Sequence, residues 1–170
     1  MADTSKDADP DPALRHALRL LSMRARTRQE LQQALARKEH PAAAIAAALE
    51  RVQALGYLDD ARYARARAES LLREGKMGPQ GVTQHLRARG IPAEVVRSAL
   101  EDAQRALDFD PDAAARALLE RRGLYAPGRT LTDKEKGKAA RVLAARGFSA
   151  AVAERLLGAG AALDSPPEGD

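Results

Sequence analysis

Apolar residues recur at helical spacing in a block that returns along the chain. Ile45, Ala48, Leu49 and Val52 stand at i, i+3, i+4 and i+7, the set that lines one face of an α-helix. Val96, Ala99, Leu100 and Ala103 repeat that spacing 51 residues later. Ala153, Leu156, Leu157 and Gly160 give a third, weaker copy. The likeness begins before these faces. Leu35-Ala-Arg-Lys-Glu-His-Pro41-Ala, Leu86-Arg-Ala-Arg-Gly-Ile-Pro92-Ala and Leu143-Ala-Ala-Arg-Gly-Phe-Ser149-Ala follow one pattern, at offsets of 51 and 57 residues. Repetition of this kind is the mark of stacked structural units.

Each copy carries start signals for two earlier helices. Thr27-x-x-Glu30 and Thr132-x-x-Glu135 fit a capping box, and Gly78-Pro79 opens the corresponding helix of the middle copy. Upstream of these, Leu14, Leu18 and Leu21 mark a first helix in copy one, and Ala64, Ala68 and Leu71 mark one in copy two. Asp110-Pro111-Asp112 opens the first helix of copy three, with a capping acid and a second acid near the positive helix end. The pattern predicts an all-α fold, an elongated arch of three tandem three-helix repeats. The units are expected at 13–56, 57–108 and 109–160, and the six extra residues of the second offset fall in the loop Leu124–Leu131.

Composition agrees with helix. Val and Ile together number 8 and aromatics are 3% of the chain, which leaves little to build a sheet. With no cysteine there is no disulfide framework or Cys-based zinc site, and a reducing cytoplasm is the expected setting. No stretch is long and apolar enough to span a bilayer, and the first residues lack a secretory pattern. The net charge of +4 is uneven. Residues 1–12 and 161–170 each carry a net −3 and are expected to be disordered acidic tails, which leaves the body at +10. A basic body suits an anionic partner such as nucleic acid. Of the 28 basic residues 22 are arginine, which either phosphate recognition or genomic base composition explains.

Candidate chemistry narrows from there. The third helices open Pro41-Ala-Ala-Ala, Pro92-Ala-Glu-Val and Ser149-Ala-Ala-Val, which cannot read base edges, so a sequence-specific major-groove binder is disfavoured. Phe148 matches Ile91 and Tyr63 lies beside apolar positions, so base stacking is not the expected mode of binding. Basic residues cluster instead. Arg24, Arg26 and Arg28 crowd the first connection, and Lys134, Lys138 and Arg141 share one helical face. Arg62, Arg65 and Arg73 with Lys76 run along the middle copy, where a solvated face laced by Glu69 and Glu74 is an equal reading. Arg87 and Arg89 complete the candidate surface. His16, His40 and His85 are scattered and read as structural, and Gly137-Lys138 lacks the rest of a phosphate-binding loop. Gly75-x-x-Gly78 matches a KH-type clamp only as a string. Asp59 and Asp60 sit at a helix start and read as cap and dipole partner. No catalytic, cofactor or metal site is predicted.

Gly56-Tyr-Leu-Asp-Asp-Ala-Arg-Tyr-Ala64 and Gly75-Lys-Met-Gly-Pro-Gln-Gly-Val-Thr-Gln-His-Leu-Arg-Ala-Arg-Gly-Ile91 resemble the RecX family, bacterial regulators of the RecA recombinase. Leu20 to Leu31, Lys134 to Lys138 and Leu143 to Phe148 are also similar to that family, so the resemblance covers roughly residues 13 to 158. Its signature here is Asp59, Asp60, Tyr63, Gly90 and Gly147. Glu39-His40 departs from it, standing where glycine and an apolar residue are expected. The resemblance implies an arch lying in the groove of the RecA–ssDNA filament that inhibits ATPase, strand exchange and co-protease activity. It implies RecA, single-stranded DNA and non-specific duplex DNA as partners of a monomer. A helical adaptor that binds only protein, or a non-specific DNA-binding protein, is the competing class.

Overall fold

The computed structural model describes residues 11–158, so the acidic stretches 1–10 and 159–170, and Gly160 with them, lie outside the described residues. Within that span the chain is all-α: nine helices and no strand. They are α1 (Pro12–Met23), α2 (Arg28–Ala36), α3 (Ala42–Ala54), α4 (Asp60–Arg73), α5 (Pro79–Arg87), α6 (Ala93–Ala106), α7 (Pro111–Arg121), α8 (Asp133–Ala145) and α9 (Ala150–Leu157). Every substantial helix–helix contact falls inside a triplet, α1–α3, α4–α6 or α7–α9, and each triplet has its own apolar core. Three small cores in series make an arch of repeats. No described helix is long and apolar enough to cross a membrane.

Local chemistry sets the helix starts. Asp11 accepts from the Ala13 amide ahead of Pro12, so these two residues belong to α1 and not to an acidic tail. Asp59, Asp110, Thr132 and Ser149 cap α4, α7, α8 and α9 in the same way. Thr132 and Glu135 form the full reciprocal box. The buried residues of α1 are Ala13 and Ala17, whereas Leu14, Leu18 and Leu21 are only half-buried at its margin. Ala64 and Ala68 of α4 and Ala115 of α7 are buried likewise, but there Leu71 and Leu72, and Leu118 and Leu119, join them in the core. Small side chains let α1 lie close on α3, which displaces the leucine stripe to the rim. Leu58 and Phe109, each just before a capping aspartate, pack against the preceding cores and not the following ones. The α7–α8 connection, residues 122–132, takes up the longer second offset.

The units join head to tail through one device. The turn between the second and third helices of a unit docks on the start of the second helix of the unit before it. At the first junction Thr27, fully buried, donates its hydroxyl to the Arg89 carbonyl at 2.8 Å and accepts from the Glu30 amide. Asp60 accepts from the Arg28 amide at 2.8 Å, so it caps α2 across the junction besides opening α4. At the second junction the amides of Gly78 and Gln80 donate to the carbonyls of Arg146 and Gly147 at 2.8 and 3.0 Å. These bonds satisfy amides that an α-helix start leaves unpaired. Gly90 (φ +77°) and Gly147 (φ +75°) form the docked turns, and a Cβ on Gly147 would stand 2.0 Å from the Gly81 nitrogen. Glu39 holds the same left-handed conformation (φ 57°) in the first unit. No described unit packs against that turn, so no close approach excludes a side chain there. His40, in place of Ile91 and Phe148, is half-buried and meets His16 at 3.1 Å.

Candidate nucleic-acid interface

The twelve basic candidates divide by what they touch. Eight are bonded within the chain. Arg24 pairs with Glu30 at 3.0 Å, and Arg28 with Glu50 at 2.7 Å and Gln53 at 2.6 Å. Arg26 donates through Nε to the Leu20 carbonyl at 3.4 Å, and Arg62 to the Gly56 carbonyl at 2.9 Å. Arg65 meets Asp102 at 3.2 Å, Arg73 meets Glu69 at 3.6 Å and Lys76 meets Glu74 at 3.3 Å. Most of these pairs face solvent and are worth little to stability, so they leave the cations releasable. Arg89 is held more firmly. It is half-buried in the first junction, 2.5 Å from Glu30 and 3.1 Å from His85 Nε2.

Electrostatics at that junction follow from its geometry. Burial works to raise the Glu30 pKa, but the hydrogen bond and charge of Arg24, with Arg89 behind them, hold it below its ordinary value. Burial raises the Asp60 pKa despite the Arg28 amide it accepts from. His85 sits below its ordinary range through burial, then the charges of Arg89 and Arg67.

Four candidates, Arg87, Lys134, Lys138 and Arg141, are exposed and make no hydrogen bond or ion pair within the described residues. Three of them share α8. Ala139, Ala140 and Leu143 turn its other side into the third core, so Lys134, Lys138 and Arg141 at i, i+4 and i+7 point away from the protein. The nearby Glu135 is engaged by Thr132 and Arg129, which leaves the cationic stripe without an acid of its own. Rigid placement on a helix and absence of a partner are what a phosphate-contacting surface requires.

The signature residues serve the frame. Asp59 caps α4 by accepting from the Arg62 amide at 2.8 Å, Asp60 bridges units, and Gly90 and Gly147 admit the docked turns. Tyr63 is half-buried and packs against the second core, as its apolar neighbours suggest, while its outer side lines a groove. Sequence reasoning missed Gly81 altogether. A Cβ there would meet the Arg146 carbonyl at 2.7 Å, and a lone glycine inside α5 was the available signal. Among the described residues no three His, Cys, Asp or Glu side chains gather as metal ligands.

Comparison with known proteins places this geometry. Residues 13–51 match the family model of the RecX first three-helix domain, and residues 59–100 that of the second. The regulatory protein RecX of Halorhodospira halophila is 38% identical over 152 residues, 89% of this chain and 88% of that protein. That of Thermobifida fusca is 35% identical over 140 residues, 82% of this chain and 74% of its own. The crystal structure of RecX from Lactobacillus salivarius superposes with a TM-score of 0.66 at 20% identity, over 85% of this chain and 92% of that one, and so speaks to fold alone. A second crystal structure, of a regulatory protein RecX, gives a TM-score of 0.67 at 27% identity over 85% and 70% of the two chains.

Proposed function

The chain belongs to the RecX family, and from that premise we propose that it regulates the RecA recombinase by lying along the groove of the RecA–ssDNA filament. There it suppresses ATPase, strand exchange and co-protease activity, limiting recombination and the SOS response. It acts by binding and not by catalysis, in the cytoplasm, as a monomer. The observation that carries this reading is the stripe of Lys134, Lys138 and Arg141, set on a rigid helix opposite its core and unpaired among the described residues. Three such cations facing phosphate give sequence-independent affinity that falls with salt, with a log–log slope of about −2 for a single strand. An arch of three separately cored units spreads its contacts over several filament subunits, so weak contacts combine through effective concentration.

The eight internally bonded cations, Arg24, Arg26 and Arg28 among them, stand behind this surface as a secondary set, each tethered to a partner within the chain. Reversing charge in the triple variant K134E/K138E/R141E is the direct test. These side chains leave the core untouched, so helicity by circular dichroism stays at the wild-type level while inhibition of RecA weakens at least tenfold and its salt slope flattens. Unchanged inhibition refutes the assignment of this face.

A further inference from the structure

A groove opens where α1 meets the start of α4. One part, about 470 Å³, is lined by Leu18, Leu21, Tyr57 and Arg62, and it shares Tyr57 and Arg62 with a second part of about 430 Å³ lined also by Tyr63, Arg26 and Arg67. It exists because α1 packs through Ala13 and Ala17 and leaves its leucine stripe at the rim. Tyr57 is 59% exposed, the most exposed ring in the described chain, and neither tyrosine hydroxyl bonds within the described residues. Three guanidinium groups border the groove. Arg26 and Arg67 are bonded there only through Nε, and Arg62 through one terminal nitrogen, so each retains free N–H donors. The single carboxylate lining it, Asp59, accepts from the Arg62 amide as the α4 cap.

The sequence, weighed on Phe148 and Tyr63, argues against stacking as the mode of binding, but exposed Tyr57 departs from that reading. We propose that this groove is a nucleobase-stacking site, which takes one or two nucleotides of single-stranded nucleic acid. A base lies on the Tyr57 ring, and the flanking phosphates meet Arg26, Arg62 and Arg67. Exposed aromatic rings interleaved with cations are the chemistry by which single strands bind without sequence preference. The remaining lining is leucine, alanine and one serine, and it holds no Asn or Gln to pair with an adenine edge. Charge complementarity decides between occupants. Three cations against one capping carboxylate call for an anionic chain, and the open face of the Tyr57 ring suits a planar base better than an aliphatic side chain. The inference rests on the RecA–ssDNA reading only in bringing a single strand within reach, and its test needs no RecA.

Fluorescence anisotropy of a labelled eight-nucleotide dT oligomer is compared with that of an abasic deoxyribose-phosphate oligomer of equal length, using the full chain. Both carry the same phosphates, so a difference between them reports stacking. The expected result is dT bound about tenfold more tightly than the abasic strand. Y57A removes that difference, Y57F keeps it, and R62A weakens both strands alike; circular dichroism checks that each variant remains helical. Equal binding of the two strands, binding of neither, or a ratio unchanged in Y57A overturns the site. So does Tyr57-dependent capture of an acidic leucine-bearing peptide with no preference for dT, which would make the groove a protein-docking surface. Any of these leaves inhibition of RecA through the α8 face standing, so the two failures are distinguishable.

Discussion

Gly147→Ala isolates the junction on which the arch depends. Gly147 sits at φ +75°, and a Cβ there would stand 2.0 Å from the Gly81 nitrogen, 2.4 Å from its Cα and 2.9 Å from the Gln80 carbonyl carbon. All three are backbone atoms, so no side chain can swing aside. Reaching ordinary contact requires the second and third units to part by more than an ångström. That movement stretches the Gly78–Arg146 and Gln80–Gly147 bonds, 2.8 and 3.0 Å long, which together satisfy two amides at the start of α5. Left-handed strain on alanine costs about 1–2 kcal/mol, and two lost hydrogen bonds add roughly 1–3 kcal/mol. Gly123→Ala is the control. It has the same sign of φ (+66°) with open space around it, so it bears the conformational cost alone. In urea denaturation followed by circular dichroism, G147A therefore loses about 2–5 kcal/mol against about 1–2 for G123A. Because units in series can undock one at a time, G147A also separates the transition of the third unit from the other two. Amide exchange at Gly78 and Gln80 accelerates in parallel. A stability loss no greater than that of G123A, with exchange at Gln80 unchanged, refutes the reasoning.

The first junction yields further tests. Thr27→Ala removes the α2 cap and strands the Arg89 carbonyl, for an expected loss of about 1–2 kcal/mol in urea midpoint analysis; a neutral effect refutes the junction role. Asp60→Asn keeps an oxygen for the Arg28 amide while Asp60→Ala does not. Alanine is therefore the costlier change, and both alter stability more than affinity for the filament in binding titrations. The pH dependence has a definite sign. His16 and His85 are held below the ordinary value of 6.5, chiefly by burial and then by neighbouring cations such as Arg19 and Arg89. The unfolded chain thus takes protons that the folded one resists, so stability is full above about 6.5 and falls as the pH drops below it. Glu30 extends the loss at lower pH, and Asp60 opposes it. Urea midpoints at about pH 7.5 and about pH 5.5 measure this, and H85Q shrinks the difference; equal midpoints contradict it.

How far the sequence was legible depended on whether the signal was local. Apolar periodicity located the helices, and capping residues such as Asp110 and Thr132 stand where the pattern put them. In α1 the periodicity of Leu14, Leu18 and Leu21 found the helix but not its most buried residues, because close packing on α3 selects the smaller pair, Ala13 and Ala17. Leu58 and Phe109 belong to the cores behind them because the chain folds back before each cap, which spacing alone does not record. Charge clusters were visible, but their pairing was not. Arg28 reaches Glu50 and Gln53 across more than twenty residues, and Arg89 reaches Glu30 across 59. Among the described residues, the stripe on α8 combines a pattern that sequence displays with freedom that the fold preserves. The groove at Tyr57 depends on where two units meet, which no single segment encodes.

The most direct measurement of the central claim is RecA ATPase on single-stranded DNA, with this protein titrated in at several salt concentrations. Inhibition at ratios well below one per RecA, weakening as salt rises, is the predicted result. No effect at any ratio or salt concentration contradicts it.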